Sequence, residues 1–397
     1  MVQYDSKEDY LEQVKGQIRC KKARSMIVEE INQHIEDQRA SIIKEGYDDN
    51  IATVKALEQM GDPTEVGKQL DKIHKPSLEW RILLAVLALC SFGILAQLSI
   101  NNVIDESKFY NSIDVARHIF FIVAGLLIVL AVYYIDYSVI GMYPKILWLL
   151  LLTVSLFYAS VGAIINGQLR YFYVFGMLLI PLYGGILYAY HKKGYIGMLK
   201  CLLLCIVTSF IEMQFTAQSA VYIGLLLSCL IMLSAAVMKN WFGTSKKVSL
   251  AIIWGWLPIC GFALIISGMN ILRPHQAERI SSIFNEILHP ELYARGYQMN
   301  LIRQAISHSR LFGGTTDEVV GYIPSLNTDN ILAYVISKWG IIAGALVIGM
   351  FVILIGRMIY ISYHQKNSLG MFVGLGCSLV FAVQGTIYIL SNLGLQL

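Results

Sequence analysis

The chain has 397 residues, of which 56% are hydrophobic and 15% are charged. The apolar residues fall in blocks of about 20, the length of a bilayer-spanning helix, so a wholly soluble globular protein is excluded. The formal net charge of +4 is modest and gives no reason to expect a nucleic-acid partner. The seven cysteines form no CxxC pair or zinc spacing, and all except Cys20 lie in apolar segments, so we predict no disulfide framework.

Residues 1–75 are polar and charged, so we predict that they form a separate small helical module. Because the chain does not start with an apolar segment, we predict no signal peptide, and the first apolar segment is expected to be a true membrane span. Gly46 is expected to end one helix, and Asp48 or Asp49 to cap the next. Asp62-Pro63 predicts a further helix that begins at Pro63. Apolar residues recur in this module at helical spacing, at Tyr10, Leu11, Val14 and Ile18 and at Ile27, Ile31, Ile35 and Ile42.

The stretch from EEINQHIEDQ to MGDPTEVGKQL resembles the short helical prefix found before permeases (the HAAS or permease-prefix type), over about residues 8–72. The resemblance implies a docking or regulatory module. We predict that His34, the lone histidine of its second apolar stripe, lies at the surface or an interface and binds no metal.

Residues 76–397 are predicted to form an all-α polytopic membrane domain. Its eighth apolar segment is longer than a bilayer requires and is predicted to be one helical span that is tilted or extends into the cytoplasm. The nine candidate spans are 82–100, 115–135, 145–165, 171–190, 196–213, 218–238, 250–270, 330–360 and 370–391.

Basic residues segregate by loop parity, which predicts a cytoplasmic N-terminus because cytoplasmic loops are enriched in lysine and arginine. Segment 271–328 and Asp329 would then face the outside. The basic loop ends carry Lys72, Lys75 and Arg81; Lys192, Lys193 and Lys200; Lys239, Lys246 and Lys247; and Arg357 and Lys366.

Segment 271–328 is too long for a structureless connection, so we predict a functional role for it. Two amphipathic stripes, 280–288 and 297–306, are suited to lying at the membrane interface. Five arginines run against the usual charge asymmetry and favour a phosphate ligand, although anionic lipid headgroups would also attract them. They are Arg273, Arg279, Arg295, Arg303 and Arg310.

The segment ends in GYIPSLNTDNILAYVISKWG, residues 321–340, where turn residues precede an apolar helix. Two interpretations of Asp329 remain open from local sequence. Thr328, Asp329 or Asn330 can cap that helix. Alternatively, an acid at the mouth of a membrane helix is costly to desolvate and marks a functional site.

Motifs in this region resemble those of the SEDS family (shape, elongation, division and sporulation), the FtsW/RodA/SpoVE group. The match is strong in 278–340 and extends weakly over 82–397, including INGQLRYFYVFG at 165–176 and VQGTIYILSNLGLQL at 383–397. In order, the motifs are ERI at 278–280, Pro290, GYQ at 296–298, LFGG at 311–314, IP at 323–324, NTD at 327–329 and Trp339-Gly340.

The resemblance implies a glycosyltransferase that polymerises peptidoglycan from lipid II outside the membrane, with Asp329 as general base and undecaprenyl diphosphate as leaving group. It also implies a class B penicillin-binding protein as partner, contacts with membrane lipids and a role for a divalent cation, Mg²⁺ or Mn²⁺. The implied substrate-binding residues are Arg170, Arg273, Arg279, Arg295, Gln298, Arg303 and Thr328.

The sequence departs from the family pattern in several places. MLLIPLYGGILY, after Arg170, lacks the charged residues of the family's Gln-Pro-Ser-Glu-Leu-x-Lys segment, and FTAQSA, at 215–220, lacks an expected acid. Ser337-Lys338 stands where acids are usual, and Leu397 precedes the family's tenth span. A non-catalytic regulator or scaffold is therefore a second hypothesis. A lipid-precursor flippase or transporter is a third, although such proteins usually carry paired ionisable groups, and here Glu212 and Asp136 lie near span ends.

Overall fold

A computed structural model describes residues 6–18, 21–74, 79–101, 115–134, 137–162, 164–165, 168–169, 172–215, 219–266, 297–314, 323, 326, 328–365 and 367–395. The chain divides into two compact units, Met1–Trp80 and Arg81–Leu397. We call them the prefix unit and the membrane unit.

The prefix unit contains four helices: α1 (Lys7–Gln17), α2 (Lys21–Lys44), α3 (Asp49–Met60) and α4 (Pro63–His74). The predicted start at Pro63 is confirmed, and Gly46 follows α2 with φ +96°, a backbone conformation that glycine adopts without strain. His34 is exposed. The predicted apolar stripes meet in one core of Tyr10, Val14, Ile18, Ile31, Ile35, Ile42, Ala52, Ala56 and Leu57.

The membrane unit is built from helices and one very short hairpin, β1 (Ile164–Ile165) paired antiparallel with β2 (Gln168–Leu169). Seven of its described helices are long and apolar enough to cross a membrane, and α9 is apolar but shorter. The protein is therefore an all-α, multi-pass membrane protein. Its helices are α5 (Trp80–Asn101), α6 (Val115–Tyr134), α7 (Ser138–Met142), α8 (Pro144–Val161), α9 (Tyr173–Ala189), α10 (Gly194–Phe215), α11 (Ser219–Met238), α12 (Lys246–Ile266), α13 (Tyr297–Ser307), α14 (Ile331–Trp339), α15 (Ile341–Tyr363) and α16 (Ser368–Asn392).

Helix α9, about half of whose residues are buried, packs against α8, α10, α11 and α16. Its closest approach to α16 depends on two glycines. A Cβ on Gly184 would lie 2.9 Å from the backbone of Phe372, and one on Gly376 would lie 2.8 Å from the Cα of Pro181. Small residues at helix crossings allow such contact where no hydrophobic effect drives helices together in lipid.

The prediction of one continuous helix over 330–360 is wrong. Gly340, with φ +103°, separates the nine-residue α14 from the 23-residue α15. The break is stabilised by the loop after α13, because the carbonyls of Arg310 and Leu311 accept hydrogen bonds from Ile341 N–H (3.0 Å) and Ile342 N–H (3.3 Å). The extra length of this segment is therefore accounted for by a second helix.

Candidate functional site

Asp329 lies in the turn that leads into α14. Thr328 and Asp329 are exposed, whereas Asn330, the N-cap residue of α14, is fully buried. Within the described part of the chain, the Asp329 carboxylate forms no hydrogen bond and no ion pair, although it lies close enough to the Tyr388 phenol to interact with it electrostatically. An exposed carboxylate in this position is available to a ligand.

The first turn of α14 is capped from another helix. The Tyr388 hydroxyl accepts a hydrogen bond from Leu332 N–H (3.3 Å), and Asn392 Oδ1 accepts one from Ala333 N–H (2.9 Å). These N–H groups are among those that a helix leaves unpaired at its start. The local capping interpretation is therefore wrong for these two groups, because side chains of α16, about 60 residues away, bind them.

Asn392 also holds the turn that carries Asp329. Its Nδ2 donates to the Asp329 backbone carbonyl (2.8 Å) and to the Tyr388 carbonyl (2.9 Å). The Asn392 side chain is fully buried, so these hydrogen bonds are protected from competition with water. We call Asn392, with its hydrogen bonds to Asp329 and Ala333, the asparagine clamp.

The other side of α14 packs against α5. The Tyr334 hydroxyl lies 2.7 Å from Ser99 Oγ of α5, and the Trp339 ring meets Phe92 edge to face at 5.2 Å. Tyr334 is among the largest fully buried side chains. The Asp329 turn is thus carried by a short helix that is fixed against both α5 and α16.

Helix α13 brings Arg303 to the same end of α16. Arg303 Nε donates to the carbonyl of Gly394 (2.8 Å), which lies two residues after Asn392. The apolar side of α13 does not face lipid as its amphipathic stripe suggested, because Ile302 and Ala305 are buried in a cluster with Ala96 and Ala333. Arg303 therefore has a structural contact as well as an exposed position.

Several predicted site residues cannot be placed. Arg170, Arg273, Arg279 and Arg295 lie outside the described residues, as do the first amphipathic stripe and the side chain of Gln298, whose backbone belongs to α13. The structure brings Thr328, Asp329 and Arg303 to one end of α16. Sequence reasoning missed Tyr388 and Asn392, although polar residues in the last turns of an apolar helix are a usable signal.

The described residues contain no group of three or more His, Cys, Asp or Glu side chains that could hold a metal ion. Asp329 provides one carboxylate. Mg²⁺ is often bound by one or two carboxylates together with substrate phosphates. Asp329 thus fits a cation that arrives with a diphosphate, and no described cluster fits a cation held by protein alone.

Glu212, one of the two ionisable residues weighed for the transporter hypothesis, is fully buried in α10. A Cβ on Gly176 would lie 3.2 Å from its Oε2, so the carboxyl group rests against the first turn of α9. The partially positive N-terminus of a helix favours a negative charge there. Asp136, the other candidate, lies outside the described residues.

Comparisons with known proteins agree with the motif order. The sequence model of the FtsW/RodA/SpoVE family, described as a cell cycle protein, matches residues 80–396. The chain is 25% identical over 360 residues to a protein of Coxiella burnetii named "Probable peptidoglycan glycosyltransferase FtsW", covering 81% of this chain and 91% of that protein. A Bacillus subtilis protein of the same name is 26% identical over 345 residues, covering 80% and 81% respectively.

A similar fold occurs in a solved structure described as "Structural coordination of polymerization and crosslinking by a peptidoglycan synthase complex". It superposes with a TM-score of 0.57 at 14% identity, over 81% of this chain and 88% of that one. That likeness shows the fold, and the match over residues 80–396 shows the family. The chain belongs to the FtsW/RodA/SpoVE family of cell cycle proteins.

Proposed function

We propose that this chain is a peptidoglycan glycosyltransferase that polymerises lipid II at the outer face of the cytoplasmic membrane, with Asp329 as general base. The relatives that carry this enzyme name, and that the chain matches over most of their length, support the reaction class. The observation that carries the assignment of Asp329 is its exposed carboxylate on a turn that a buried asparagine holds in place. A catalytic base has to be both accessible to substrate and fixed in position.

In the proposed reaction, a sugar hydroxyl oxygen forms a bond to the anomeric carbon of a second lipid-linked sugar. The bond from that carbon to the diphosphate oxygen breaks, and undecaprenyl diphosphate leaves with the bonding electrons. The carboxylate of Asp329 takes the hydroxyl proton as the bond forms. Fixed positive groups at the diphosphate would stabilise the charge that develops as it leaves.

Arg303 is the described candidate for contacting the diphosphate, because it is exposed and bound to the same end of α16 as the Asp329 turn. Arg170, Arg273, Arg279 and Arg295 remain proposed substrate ligands from the sequence, together with Gln298 and Thr328. A divalent cation, Mg²⁺ or Mn²⁺, would supply further neutralisation. Asp329 would hold it jointly with the substrate's phosphate oxygens.

The orientation and the partner are also proposals. The parity of the loop lysines supports a cytoplasmic N-terminus, which puts Asp329 outside, where the glycan is made. The solved neighbour belongs to a synthase complex that couples polymerisation with crosslinking. We propose that this chain likewise works with a crosslinking enzyme of the class B penicillin-binding type.

The test is a polymerisation assay with purified chain and lipid II, comparing the parent with Asp329→Asn. General-base catalysis typically contributes about 10²–10⁴-fold, so the rate should fall by that order. Asp48→Asn is the matched control, because Asp48 in the prefix unit makes no side-chain cap hydrogen bond and lies in a different unit. Circular dichroism would verify that both variants fold.

Two results would count against this function. Polymerisation by Asp329→Asn at the parental rate would remove Asp329 from the role of base. An inactive parent, tested with Mg²⁺ or Mn²⁺ and with a penicillin-binding partner present, would favour the non-catalytic regulator.

A further inference from the structure

One end of the membrane unit carries a strong positive charge. Between Tyr137 and Ala277 the sequence contains a single acidic residue, Glu212. Consecutive membrane helices run in opposite directions, so the starts of α8, α10 and α12 lie at the same end of the membrane unit as the ends of α9 and α11. Seven lysines of that stretch lie at or near these helix ends. They are Lys145, Lys192, Lys193, Lys200, Lys239, Lys246 and Lys247.

Two of these lysines converge on one aromatic ring. The ammonium of Lys145, from the first turn of α8, lies 5.4 Å from the centroid of the Tyr190 ring, and that of Lys193 lies 5.3 Å from the same centroid. Both lysines are exposed, and Tyr190 is half-buried just after α9. The face of an aromatic ring attracts a cation, so the ring draws together two charges that repel each other.

The backbone around Tyr190 is fixed by the turn after α11. Lys192 N–H donates to the Trp241 carbonyl (3.0 Å), and Gly194 N–H donates to the Phe242 carbonyl (3.1 Å). The indole of Trp241 donates back to the Leu187 carbonyl (2.8 Å). Lys192 has φ +54°, an uncommon conformation for a residue with a side chain, which these hydrogen bonds stabilise. The backbone that carries Tyr190 and Lys193 is therefore fixed without a ligand.

No described carboxylate neutralises this pair. Neither Lys145 nor Lys193 forms an ion pair within the described part of the chain, and the pairs Lys7–Glu36, Arg39–Glu36 and Arg39–Asp49 all lie in the prefix unit. Glu212 lies 18 residues beyond Gly194 in α10, which at 1.5 Å per residue is about 27 Å away along the helix. An anionic ligand would offset this charge.

We propose that Lys145, Tyr190 and Lys193 form a binding site for the headgroup of an anionic phospholipid. The ends of membrane-spanning helices lie at the level of the lipid headgroups, so a phosphate is available there. Lysine ammonium groups bind phosphate oxygens, while their alkyl stems and the tyrosine ring pack against acyl chains. An anionic headgroup carries net charge, which a zwitterionic one lacks.

This site lies far from Asp329. The ammonium of Lys239, at the same end as the lysine pair, is 4.4 Å from the ring centroid of Tyr363, where α15 ends. Asp329 precedes α14, beyond the other end of α15. The 23 residues of α15 extend about 34 Å, so the two sites lie at opposite ends of the membrane unit. The proposal is thus independent of the glycosyltransferase function.

Native mass spectrometry of the purified full chain tests the site by counting retained phosphatidylglycerol and phosphatidylcholine molecules. General attraction to an anionic surface is worth roughly a fivefold gain in affinity per lysine, and a lysine that touches the phosphate contributes more, so Lys145→Ala with Lys193→Ala should weaken phosphatidylglycerol binding by more than roughly 30-fold. Lys246→Ala with Lys247→Ala is the matched control, with the same change in charge at the same end and no aromatic ring under either lysine among the described contacts. This control removes only the general attraction, so it should bind phosphatidylglycerol more tightly than the Lys145/Lys193 alanine pair does.

Lys145→Arg with Lys193→Arg keeps both charges and should bind as the parent does, which separates loss of charge from misfolding. Equal losses in the alanine pair and the control pair would overturn the site, because general attraction to the basic end would then explain binding. Preference for phosphatidylcholine over phosphatidylglycerol would also overturn it. Inorganic phosphate is the remaining probe: displacement of the lipid by millimolar phosphate would indicate a site for a soluble anion.

Discussion

Asn392 is the residue that links the candidate base to the rest of the fold. Its buried amide donates to the carbonyl of Asp329 and accepts from the N–H of Ala333. It therefore holds the turn that carries Asp329 against the first turn of α14. A polar side chain in the last turn of an apolar helix is costly to bury unless its hydrogen bonds are satisfied. We infer that Asn392 positions Asp329 and does not itself touch substrate.

Asn392→Leu is expected to lower kcat of polymerisation by roughly 10-fold to 100-fold, because small displacements of a catalytic group are that costly. Steady-state kinetics with lipid II measures the effect. Asn367→Ala is the control on the same helix: Asn367 caps the opposite end by accepting from Leu369 N–H and Gly370 N–H, and its loss costs about 1 kcal/mol of stability. A kcat equal to the parent's in Asn392→Leu would refute the positioning role.

At the scale of elements, the break between α14 and α15 depends on a loop of distant sequence. Gly313 N–H donates to the Trp339 carbonyl (3.0 Å), while the carbonyls of Arg310 and Leu311 accept from the start of α15. The LFGG motif at 311–314 thus pairs with the backbone at the break. It replaces the hydrogen bonds that a continuous helix would have made.

Gly340→Ala should destabilise this junction. A Cβ there would lie 2.5 Å from the Leu311 carbonyl oxygen, in a backbone conformation that only glycine adopts readily, which costs about 1–3 kcal/mol before the clash is counted. Gly349→Ala is the matched control in α15, since its Cβ would meet nothing within 4 Å and alanine favours a helix by up to about 1 kcal/mol. Thermal unfolding in detergent should separate them, and equal melting temperatures would contradict the account.

At the scale of the whole molecule, the prefix unit has its own core and its own ionic network. Glu36 accepts from Lys7 (2.7 Å) and from Arg39 (3.1 Å), which also binds Asp49. The hydrogen bond from Lys7, then the charges of Lys7 and Arg39, lower the pKa of Glu36 below its ordinary value of 4.5. A lowered pKa in the folded state means a stabilising contribution that is present above pH 4.5 and is lost as the pH falls through the folded value.

The isolated prefix unit should therefore fold as a helical fragment and lose thermal stability on acidification from pH 5 to pH 3. Glu36→Gln should flatten that dependence. Glu45→Gln is the control, because Glu45 is exposed and outside the network. Circular dichroism melts at several pH values measure the slopes. Identical slopes for Glu36→Gln and the parent, or a random-coil spectrum of the fragment, would contradict the prediction.

The orientation of the whole chain can be tested with an impermeant thiol reagent on intact cells. Ser307→Cys, on α13 near Arg303, should be labelled, whereas Ser245→Cys, just before α12, should be protected unless the cells are opened. Both serines are exposed. Parent chain gives the background from its own cysteines. Labelling at Ser245→Cys with protection at Ser307→Cys would reverse the proposed topology.

Much of the architecture could be predicted from the sequence because it depends on local patterns. Blocks of about 20 apolar residues can satisfy their backbone polar groups in a bilayer only as helices, so each predicted span contains a helix. Asp62-Pro63 likewise predicts the start of α4 without any tertiary information. Family membership followed from the order of short motifs between residues 278 and 340, and the match over residues 80–396 confirmed it.

Only the tertiary structure decided how the candidate site is assembled. Apolar periodicity runs unbroken across Gly340, so the division into α14 and α15 cannot be read from it; the carbonyls of Arg310 and Leu311 make it possible. Similarly, Thr328, Asp329 and Asn330 are all suitable caps by sequence, yet Tyr388 and Asn392 bind the N–H groups of Leu332 and Ala333. Hydrogen bonds between segments distant in the chain leave no local periodicity, and they determine which polar residue is buried and which, like Asp329, is exposed.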